Sequence, residues 1–185
     1  MPTISDKSLK LKIGDTSPDF NLKGTDDKNY SLNDFKNNKI LVVVFMCNHC
    51  PYVQAYVERL IKIQKEFSDK SVQLVGINSN DESLYPEDSF EKMKVYARIR
   101  GFGFPYLRDA EQETAKDYGA QCTPEIFVFG VEREMRYHGR VDDNYQDSNA
   151  VKSPELRNAI SALAKGEKVP VEMTPAIGCS IKWGN

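Results

Sequence analysis

Several features that mark special classes of protein are scarce in this sequence of 185 residues. It has one tryptophan and two histidines, and its 25 Lys and Arg nearly balance 27 Asp and Glu, for a formal net charge of −2. Proteins bind a phosphate backbone through an excess of positive charge, so no nucleic-acid partner is predicted. The longest apolar run, Ile40 to Met46, is too short to cross a bilayer, so no membrane partner is predicted.

The N-terminal residues Met1 to Asp6 contain no apolar signal segment, and the simplest prediction is cytoplasmic residence. A chain of this length buries a core without needing a disulfide or a metal. We expect one domain over residues 1–185, with its core over about 14–166 and an extended tail over 167–185. In a reducing cytosol, four cysteines are more often reactive or metal-bound than structural.

The apolar pattern predicts an α/β fold. Alternating residues from Phe20 to Leu32, on either side of a polar turn, indicate an N-terminal β-hairpin. The continuous runs Ile40 to Met46 and Val72 to Ile77 are typical of strands buried on both faces. Helical spacing follows each run, and the second helix ends at Gly101. A β-α-β-α order implies parallel crossover connections within a central sheet.

The second half of the chain predicts shorter elements and a tail. These are a strand at Phe104 to Leu107, a helix at Gln112 to Tyr118, a strand at Ile126 to Phe129, a hairpin partner at Met135 to Val141, and a last helix with Ser153 as N-cap, Pro154 in its first position and Gly166 just past its end. Three apolar residues are expected to anchor the tail: Val169, Ile177 and Trp183.

Candidate chemistry concentrates at residues 47–51, with the sequence Cys-Asn-His-Cys-Pro, between a buried strand and a helix. Two thiols one helical turn apart, with Cβ atoms about 5–6 Å from each other, can close a reversible disulfide. The helix N-terminus favours the thiolate over the thiol. We expect Cys47 to be the exposed nucleophile and Cys50, one turn into the helix, to be the resolving cysteine. His49 is expected to stabilise the thiolate by a hydrogen bond or a positive charge, although it is also a plausible solvated turn residue.

Four motifs, the first of which contains this dithiol, carry a resemblance to a known family. They are CNHCPYV at residues 47–53, CTPE at 122–125, GRVDD at 139–143 and GCSIKW at 178–183. With the N-terminal hairpin, they resemble the peroxiredoxin-like subgroup, in the AhpC/TSA (redoxin) branch of the thioredoxin superfamily. The resemblance implies a thioredoxin-like fold, with a central mixed β-sheet flanked by helices. It also implies thiol-based redox activity and a cis peptide bond between Thr123 and Pro124 that faces the dithiol.

The sequence departs from the family pattern at three places. Peroxiredoxins carry Thr or Ser three residues before the peroxidatic cysteine; Cys50 matches that cysteine, and Cys47 takes the Thr position. The arginine expected near Pro124 is missing, unless one of Arg133, Arg136 or Arg140 reaches the site. Leu41 stands where thioredoxins usually have a buried acid. Glu125 is the candidate to replace that acid as proton acceptor. The alternative interpretation of Glu125 is an exposed charge at the start of a strand.

Two further thiols have open interpretations. Cys122 precedes the Thr123–Pro124 loop, close enough in the inferred fold to face the dithiol, but it can equally be a buried core residue. Cys179 lies in a tail with two interpretations. Either the tail folds back over the site and brings a third thiol to it, or Trp183 holds Cys179 in place merely as a packing residue.

Three functions are compatible with these residues. The preferred one is a thiol-disulfide oxidoreductase whose Thr123–Pro124 backbone positions an extended substrate. The second is a thiol peroxidase that reduces hydroperoxides through Cys50. The third is Cu(I) binding by the two cysteines and His49, against which the two-residue spacing counts. The first two need a protein or small-molecule disulfide, or a hydroperoxide, as substrate and a thiol as electron donor; no cofactor and no resident metal is predicted.

Overall fold

A computed structural model describes residues 9–184, so the predictions for Met1 to Asp6 lie outside the described residues. The strands are β1 (Asn21–Gly24), β2 (Asn29–Ser31), β3 (Ile40–Phe45), β4 (Val72–Asn78), β5 (Tyr106–Arg108), β6 (Cys122–Thr123), β7 (Glu125–Phe129), β8 (Met135–Gly139) and β9 (Cys179–Ser180). The α-helices are α1 (Pro51–Glu66), α2 (Phe90–Arg100), α3 (Glu113–Tyr118) and α4 (Glu155–Ala164).

Seven strands form a central mixed sheet in the order β2-β1-β5-β4-β3-β7-β8. The three inner strands β5, β4 and β3 run parallel, and the predicted crossovers are therefore confirmed. The N-terminal hairpin of β1 with β2 and the C-terminal hairpin of β7 with β8 pair antiparallel, also as predicted. A separate two-stranded sheet joins β6 to β9.

Strand β3 lies at the centre of two cores. Its side chains alternate between the faces of the sheet, as in any β-strand. Val42 and Val44 pack on the side of α1, α2 and α4, whereas Leu41 and Val43 pack on the side of α3 and the N-terminal segment. All six β3 residues are buried, which explains the continuous apolar run in the sequence.

Two predictions about the C-terminal part are wrong in detail. Helix α4 begins at Glu155, and Pro154, rather than Ser153, is the N-cap, because its backbone angles (φ −86°, ψ 70°) lie outside the helical region. In the tail Val169 is buried as predicted, but Ile177 and Trp183 are 36% and 39% exposed. Their anchoring place is taken by a different pair of buried residues, Ala176 and Ile181.

The tail first runs alongside β8, the edge strand of the central sheet. Met173 bridges to His138 of β8, and the Thr174 hydroxyl contacts the Tyr137 hydroxyl at 2.8 Å. The chain then reaches strand β9, which pairs antiparallel with β6, so that Thr123 and Cys179 are register partners. Among residues 9–184, no helix is both long and apolar enough to cross a membrane.

Candidate active site

The two cysteines of the dithiol occupy the turn between β3 and α1. Helix α1 starts at Pro51, and Cys50 is its N-cap. Proline suits the first helical position because its φ is preset and its missing N–H has no partner there in any case. The predicted placement of Cys50 one turn into the helix is therefore wrong: Cys50 stands at the helix N-terminus and Cys47 lies before it.

Both thiols are shielded from solvent. Cys47 is 1% exposed and Cys50 0%, so the prediction of an exposed Cys47 is wrong. The physical reason is that Cys47 follows the buried strand β3 after one residue and lies beneath Thr123, whose hydroxyl is 3.4 Å from the Cys47 sulfur. Access to either sulfur requires a movement of the covering segments.

The loop between β6 and β7 lies against the dithiol. The Thr123–Pro124 peptide bond is cis, as the resemblance implied. The Thr123 carbonyl oxygen lies 3.2 Å from the Cys50 sulfur and accepts its hydrogen bond when Cys50 is protonated. Thr123 therefore contacts both cysteines, one through its side chain and one through its backbone.

The tail brings a third thiol to this place. Cys179 packs against the same core as Cys47 and Cys50 while keeping part of its surface exposed. Gly178 permits this approach, because a Cβ atom there would collide with the Thr123 carbonyl group. Of the two interpretations given to Cys179, the structure has the tail folded back over the site.

The three thiols differ in their tendency to ionise. Hydrogen bonding from the Cys47 thiol holds the pKa of Cys50 well below its usual range; burial opposes this, and the Cys179 thiol and the N–H groups of Val53 and Cys179 add to it. Val53 is the third residue of α1, so its N–H is the contribution of the helix N-terminus, and this contribution is smaller than that of the two neighbouring thiols.

The other cysteines resist ionisation. Hydrogen bonding to Cys50, then burial and the charge of Asp88, raise the pKa of Cys47. Burial and hydrogen bonding to Cys50 raise the pKa of Cys179 to about 11. The site therefore favours one thiolate, on Cys50, with the remaining thiols as donors.

His49 is held by a carboxylate that the sequence analysis missed. Its Nδ1 lies 2.5 Å from Asp88 Oδ2, and its ring stacks on Tyr85 with centroids 4.9 Å apart. Asp88 is buried and also accepts hydrogen bonds from the Asn48 N–H and the Asn80 side chain. Little in the sequence points to Asp88, because Pro-Glu-Asp after β4 is an ordinary surface pattern. The available hint is the group of polar residues from Asn78 to Asn80 at the end of the strand.

Glu125 is buried, so the alternative of an exposed charge is wrong. Its Oε2 accepts hydrogen bonds from the N–H groups of Gln121 and Cys122, and its Oε1 lies 2.8 Å from His138 Nε2. These contacts engage the carboxylate with the β6 backbone and β8 instead of the dithiol. Glu125 therefore braces the loop that carries Thr123.

Cys122 has a core environment. It is buried, and its thiol lies 4.0 Å from the Pro124 carbonyl oxygen. Burial and the charge of Glu125 raise the pKa of this thiol, which makes it a poor nucleophile.

One group of side chains has potential ligand atoms for a metal. Cys47, His49 and Asp88 each place such an atom within 4.8 Å of the other two. Asp88 already accepts hydrogen bonds from a backbone N–H and an asparagine, which stabilises its carboxylate without an ion.

Three comparisons show which known proteins this chain resembles. The AhpC/TSA family model matches residues 13–138. The thioredoxin-like protein YneN of Bacillus subtilis (strain 168) is 29% identical over 126 residues, covering 68% of this chain and 70% of the relative. An uncharacterized conserved protein from Geobacillus kaustophilus is 38% identical, with a TM-score of 0.91 over 100% of this chain and 97% of the other.

A more distant structure shares the fold. The peroxidoxin BcpB of Mycobacterium tuberculosis is 22% identical, with a TM-score of 0.59 over 84% of this chain and 95% of that one. The central mixed sheet flanked by helices, the cis peptide bond beside a dithiol and the family match agree: the chain has a thioredoxin-like α/β fold and belongs to the AhpC/TSA family.

Proposed function

We propose that this protein is a thiol-disulfide oxidoreductase in which Cys50 is the nucleophile and Cys47 the resolving cysteine. This order reverses the one that the sequence predicts. The observation that carries it is the placement of Cys50 at the N-terminus of α1, where Cys47 and Cys179 stabilise its thiolate. A thiolate is the species that attacks a disulfide.

The reaction conserves electrons in two exchange steps. The Cys50 thiolate attacks one sulfur of a substrate disulfide, the S–S bond breaks, and the other half leaves as a thiolate. Cys47 then loses its proton and attacks the Cys50 sulfur, which forms a Cys47–Cys50 disulfide and releases the second half of the substrate as a thiolate. A thiol electron donor later reduces this disulfide.

Proton transfer from Cys47 is assigned to His49. Asp88 binds one ring nitrogen, which fixes the orientation of the imidazole and leaves the other nitrogen to exchange a proton. One ring nitrogen of His49 lies within 4.8 Å of the Cys47 sulfur, which places the imidazole beside the thiol that must lose a proton. Asp88 and His49 thus take the role that the sequence analysis gave to Glu125.

The substrate class follows from the tail. Strand β9 pairs with β6, the edge on which the sequence analysis expected an extended polypeptide to lie. With that edge paired, a small-molecule disulfide fits the site better than a protein disulfide.

Stopped-flow reaction with a small disulfide, bis(2-hydroxyethyl) disulfide, tests the order of attack. We expect Cys50→Ser to abolish the reaction, and the double variant Cys47→Ser/Cys179→Ser, which lacks both neighbouring thiols, to react once and stop at a mixed disulfide on Cys50. The opposite pattern, with Cys50→Ser trapped on Cys47, would restore the order predicted from the sequence.

A thiol peroxidase is the second candidate, favoured by the low pKa of Cys50 and by its match to the peroxidatic position. The candidate arginines are held elsewhere: Arg133 donates to the carbonyls of Phe35 and Asn38, Arg136 pairs with Glu134, and Arg140 pairs with Glu155. Faster consumption of hydrogen peroxide than of disulfide, lost in Cys50→Ser, would favour this function.

Cu(I) binding is the third candidate, and one mole of copper per mole of reduced protein in a metal analysis would favour it. The raised pKa of Cys47 works against it, because a metal ligand must be the thiolate. Cytoplasmic residence stays a prediction from the sequence.

A further inference from the structure

Strand β9 covers the dithiol in the manner of a bound substrate. It lies antiparallel to β6, with Cys179 in register with Thr123, and the Thr123 carbonyl oxygen is 3.2 Å from the Cys50 sulfur. Pairing of an extended segment with an exposed strand edge is a general mode of peptide recognition. Here the segment belongs to the same chain, and a cysteine occupies the position next to the reactive sulfur.

The strand is fitted to this position. Gly178 lies so close to the Thr123 carbonyl group that any side chain would collide with it. On the C-terminal side of β9, Ile181 is buried in the core that lies on the α3 side of the sheet. The next residue, Lys182, donates its N–H to the Asn80 side chain at 2.9 Å. Both ends of the short strand are therefore held, and Cys179 stays over Cys50.

The three thiols also differ in exposure. Cys47 and Cys50 are buried, whereas Cys179 is partly exposed. An external thiol donor that must reduce an oxidised dithiol meets Cys179 first.

We propose that Cys179 is the thiol through which the buried dithiol exchanges electrons with an external thiol donor, by way of a Cys50–Cys179 disulfide. This inference rests on the proposed function for the role of Cys50. Cys179 loses its proton and attacks Cys50 in the oxidised Cys47–Cys50 pair; the new S–S bond forms and Cys47 leaves as a thiolate that takes up a proton. The donor thiolate then attacks Cys179, and Cys50 leaves as its thiolate.

In the first step the position of Cys179 decides which sulfur it attacks, because its register partner Thr123 contacts the Cys50 sulfur through the carbonyl oxygen. In the last step the leaving group sets the direction. In thiol-disulfide exchange, the sulfur with the lower pKa leaves faster. Cys50 has a lowered pKa and Cys179 a raised one, so attack on Cys179 with departure of Cys50 is the favoured path. A second donor thiol releases Cys179 from the donor, and the net result is two donor thiols oxidised to one disulfide.

Disulfide mapping at equilibrium tests the first half of the proposal. The full chain with Cys47→Ser is equilibrated with reduced and oxidised glutathione, quenched with acid, alkylated, digested and analysed by mass spectrometry. We expect a Cys50–Cys179 disulfide, which Cys179→Ser removes and Cys122→Ser retains. Glutathione attached to Cys50, with Cys179 free, would overturn the proposal.

A matched pair of variants in β9 tests the dependence on strand pairing. Gly178→Ala should lower the yield of the Cys50–Cys179 disulfide at least tenfold, because the added methyl group forces β9 away from Thr123. Ser180→Ala changes an exposed side chain in the same strand and should leave the yield unchanged. Circular dichroism checks that both variants are folded, and equal yields in the two would contradict the role of β9.

Trapping tests the second half. The oxidised wild-type protein is mixed with glutathione and quenched at early times. Glutathione attached to Cys179 is expected, and attachment to Cys47 or Cys50 with Cys179 unmodified would overturn the proposal. Both assays are independent of substrate turnover: a failure of the proposed function would appear as unchanged disulfide reduction by Cys50→Ser, with the mapping result intact.

Discussion

Each of the two histidines of this protein is paired with a buried carboxylate, and the pairs differ in access to solvent. His49 lies 2.5 Å from Asp88, and its side chain is 25% exposed; His138 lies 2.8 Å from Glu125, and its side chain is 2% exposed. Both rings also contact an aromatic ring, Tyr85 at 4.9 Å and Phe127 at 4.7 Å. A histidine–carboxylate pair thus occurs in two environments. The two pairs differ in whether the second ring nitrogen of the histidine can exchange protons with its surroundings.

The His138–Glu125 pair, which we call the sealed pair, contributes to the stability of the fold. Nδ1 of His138 is buried without a hydrogen-bond partner among the described residues, so no path for a proton leads from it. The His49–Asp88 pair, which we call the open pair, lies beside Cys47, with one ring nitrogen of His49 within 4.8 Å of the Cys47 sulfur. We therefore assign a structural role to the His138–Glu125 pair and proton transfer to the His49–Asp88 pair.

The largest expected effect is on the sealed pair. His138→Ala leaves the buried Glu125 carboxylate with only its two backbone donors and opens a cavity where the buried ring packed, and we expect the free energy of unfolding to fall by about 3–5 kcal/mol. His49→Ala leaves Asp88 with its backbone and asparagine donors and should cost about 1 kcal/mol. Urea unfolding of both variants measures the difference, and equal losses would remove the distinction between the pairs.

The next effect is on the chemistry of the open pair. We expect His49→Ala to slow the resolution of the mixed disulfide on Cys50 about a hundredfold at neutral pH, the usual scale of proton transfer by a positioned side chain. His138→Gln retains a donor for Glu125 and is the control, with an unchanged rate. Single-turnover kinetics with quenched mass spectrometry resolves this step, and an unaffected His49→Ala would exclude His49 as the proton acceptor.

A smaller effect concerns the ionisation of neighbouring thiols. The pKa of Cys47 is raised by its hydrogen bond with Cys50, by burial and by the charge of Asp88. The pKa of Cys122 is raised by burial and by the charge of Glu125. Removing each negative charge stabilises the nearby thiolate, so Asp88→Asn should lower the pKa of Cys47 and Glu125→Gln that of Cys122. The Cβ chemical shifts of the cysteines, followed as the pH is raised, test this in a Cys50→Ala background. A shift of the wrong cysteine would show that the two carboxylates are not independent.

The smallest effect belongs to the aromatic contacts. Tyr85→Leu removes the ring that stacks on His49, an interaction of about 1 kcal/mol. Because 1.4 kcal/mol corresponds to a factor of ten, resolution should slow by about fivefold at most. The same kinetic assay measures it, with Tyr30→Leu, at the far N-terminal hairpin, as a control. A hundredfold loss would mean that Tyr85 does more than orient the imidazole.

Local patterns predicted the sheet because local physics determines it. The apolar run of β3, the hairpin of β1 with β2 and the end of α2 at Gly101 each follow from a few adjacent residues. The dithiol was found for the same reason, since both cysteines lie in one turn.

The parts that were missed depend on contacts distant in sequence. The burial of Cys47 results from Thr123, which is brought in by another strand, and Asp88 reaches His49 only through the folded loop after β4. Nothing adjacent to Cys179 indicates that it will meet Cys50. A single sequence does not show which distant residues will meet in the fold. It therefore predicts which cysteines are reactive candidates but not the role of each one.

The pairing of β6 with β9 also has a consequence for biosynthesis. During translation the N-terminal segments emerge first, and a strand late in the chain closes only after them. Until Cys179 and Ser180 have left the ribosome, the β6 edge is unpaired, and an open edge is a template for pairing with other chains. The nascent protein therefore carries two thiols beside an open strand edge until β9 is made, and the pairing of β9 with β6 then covers both the edge and the thiols.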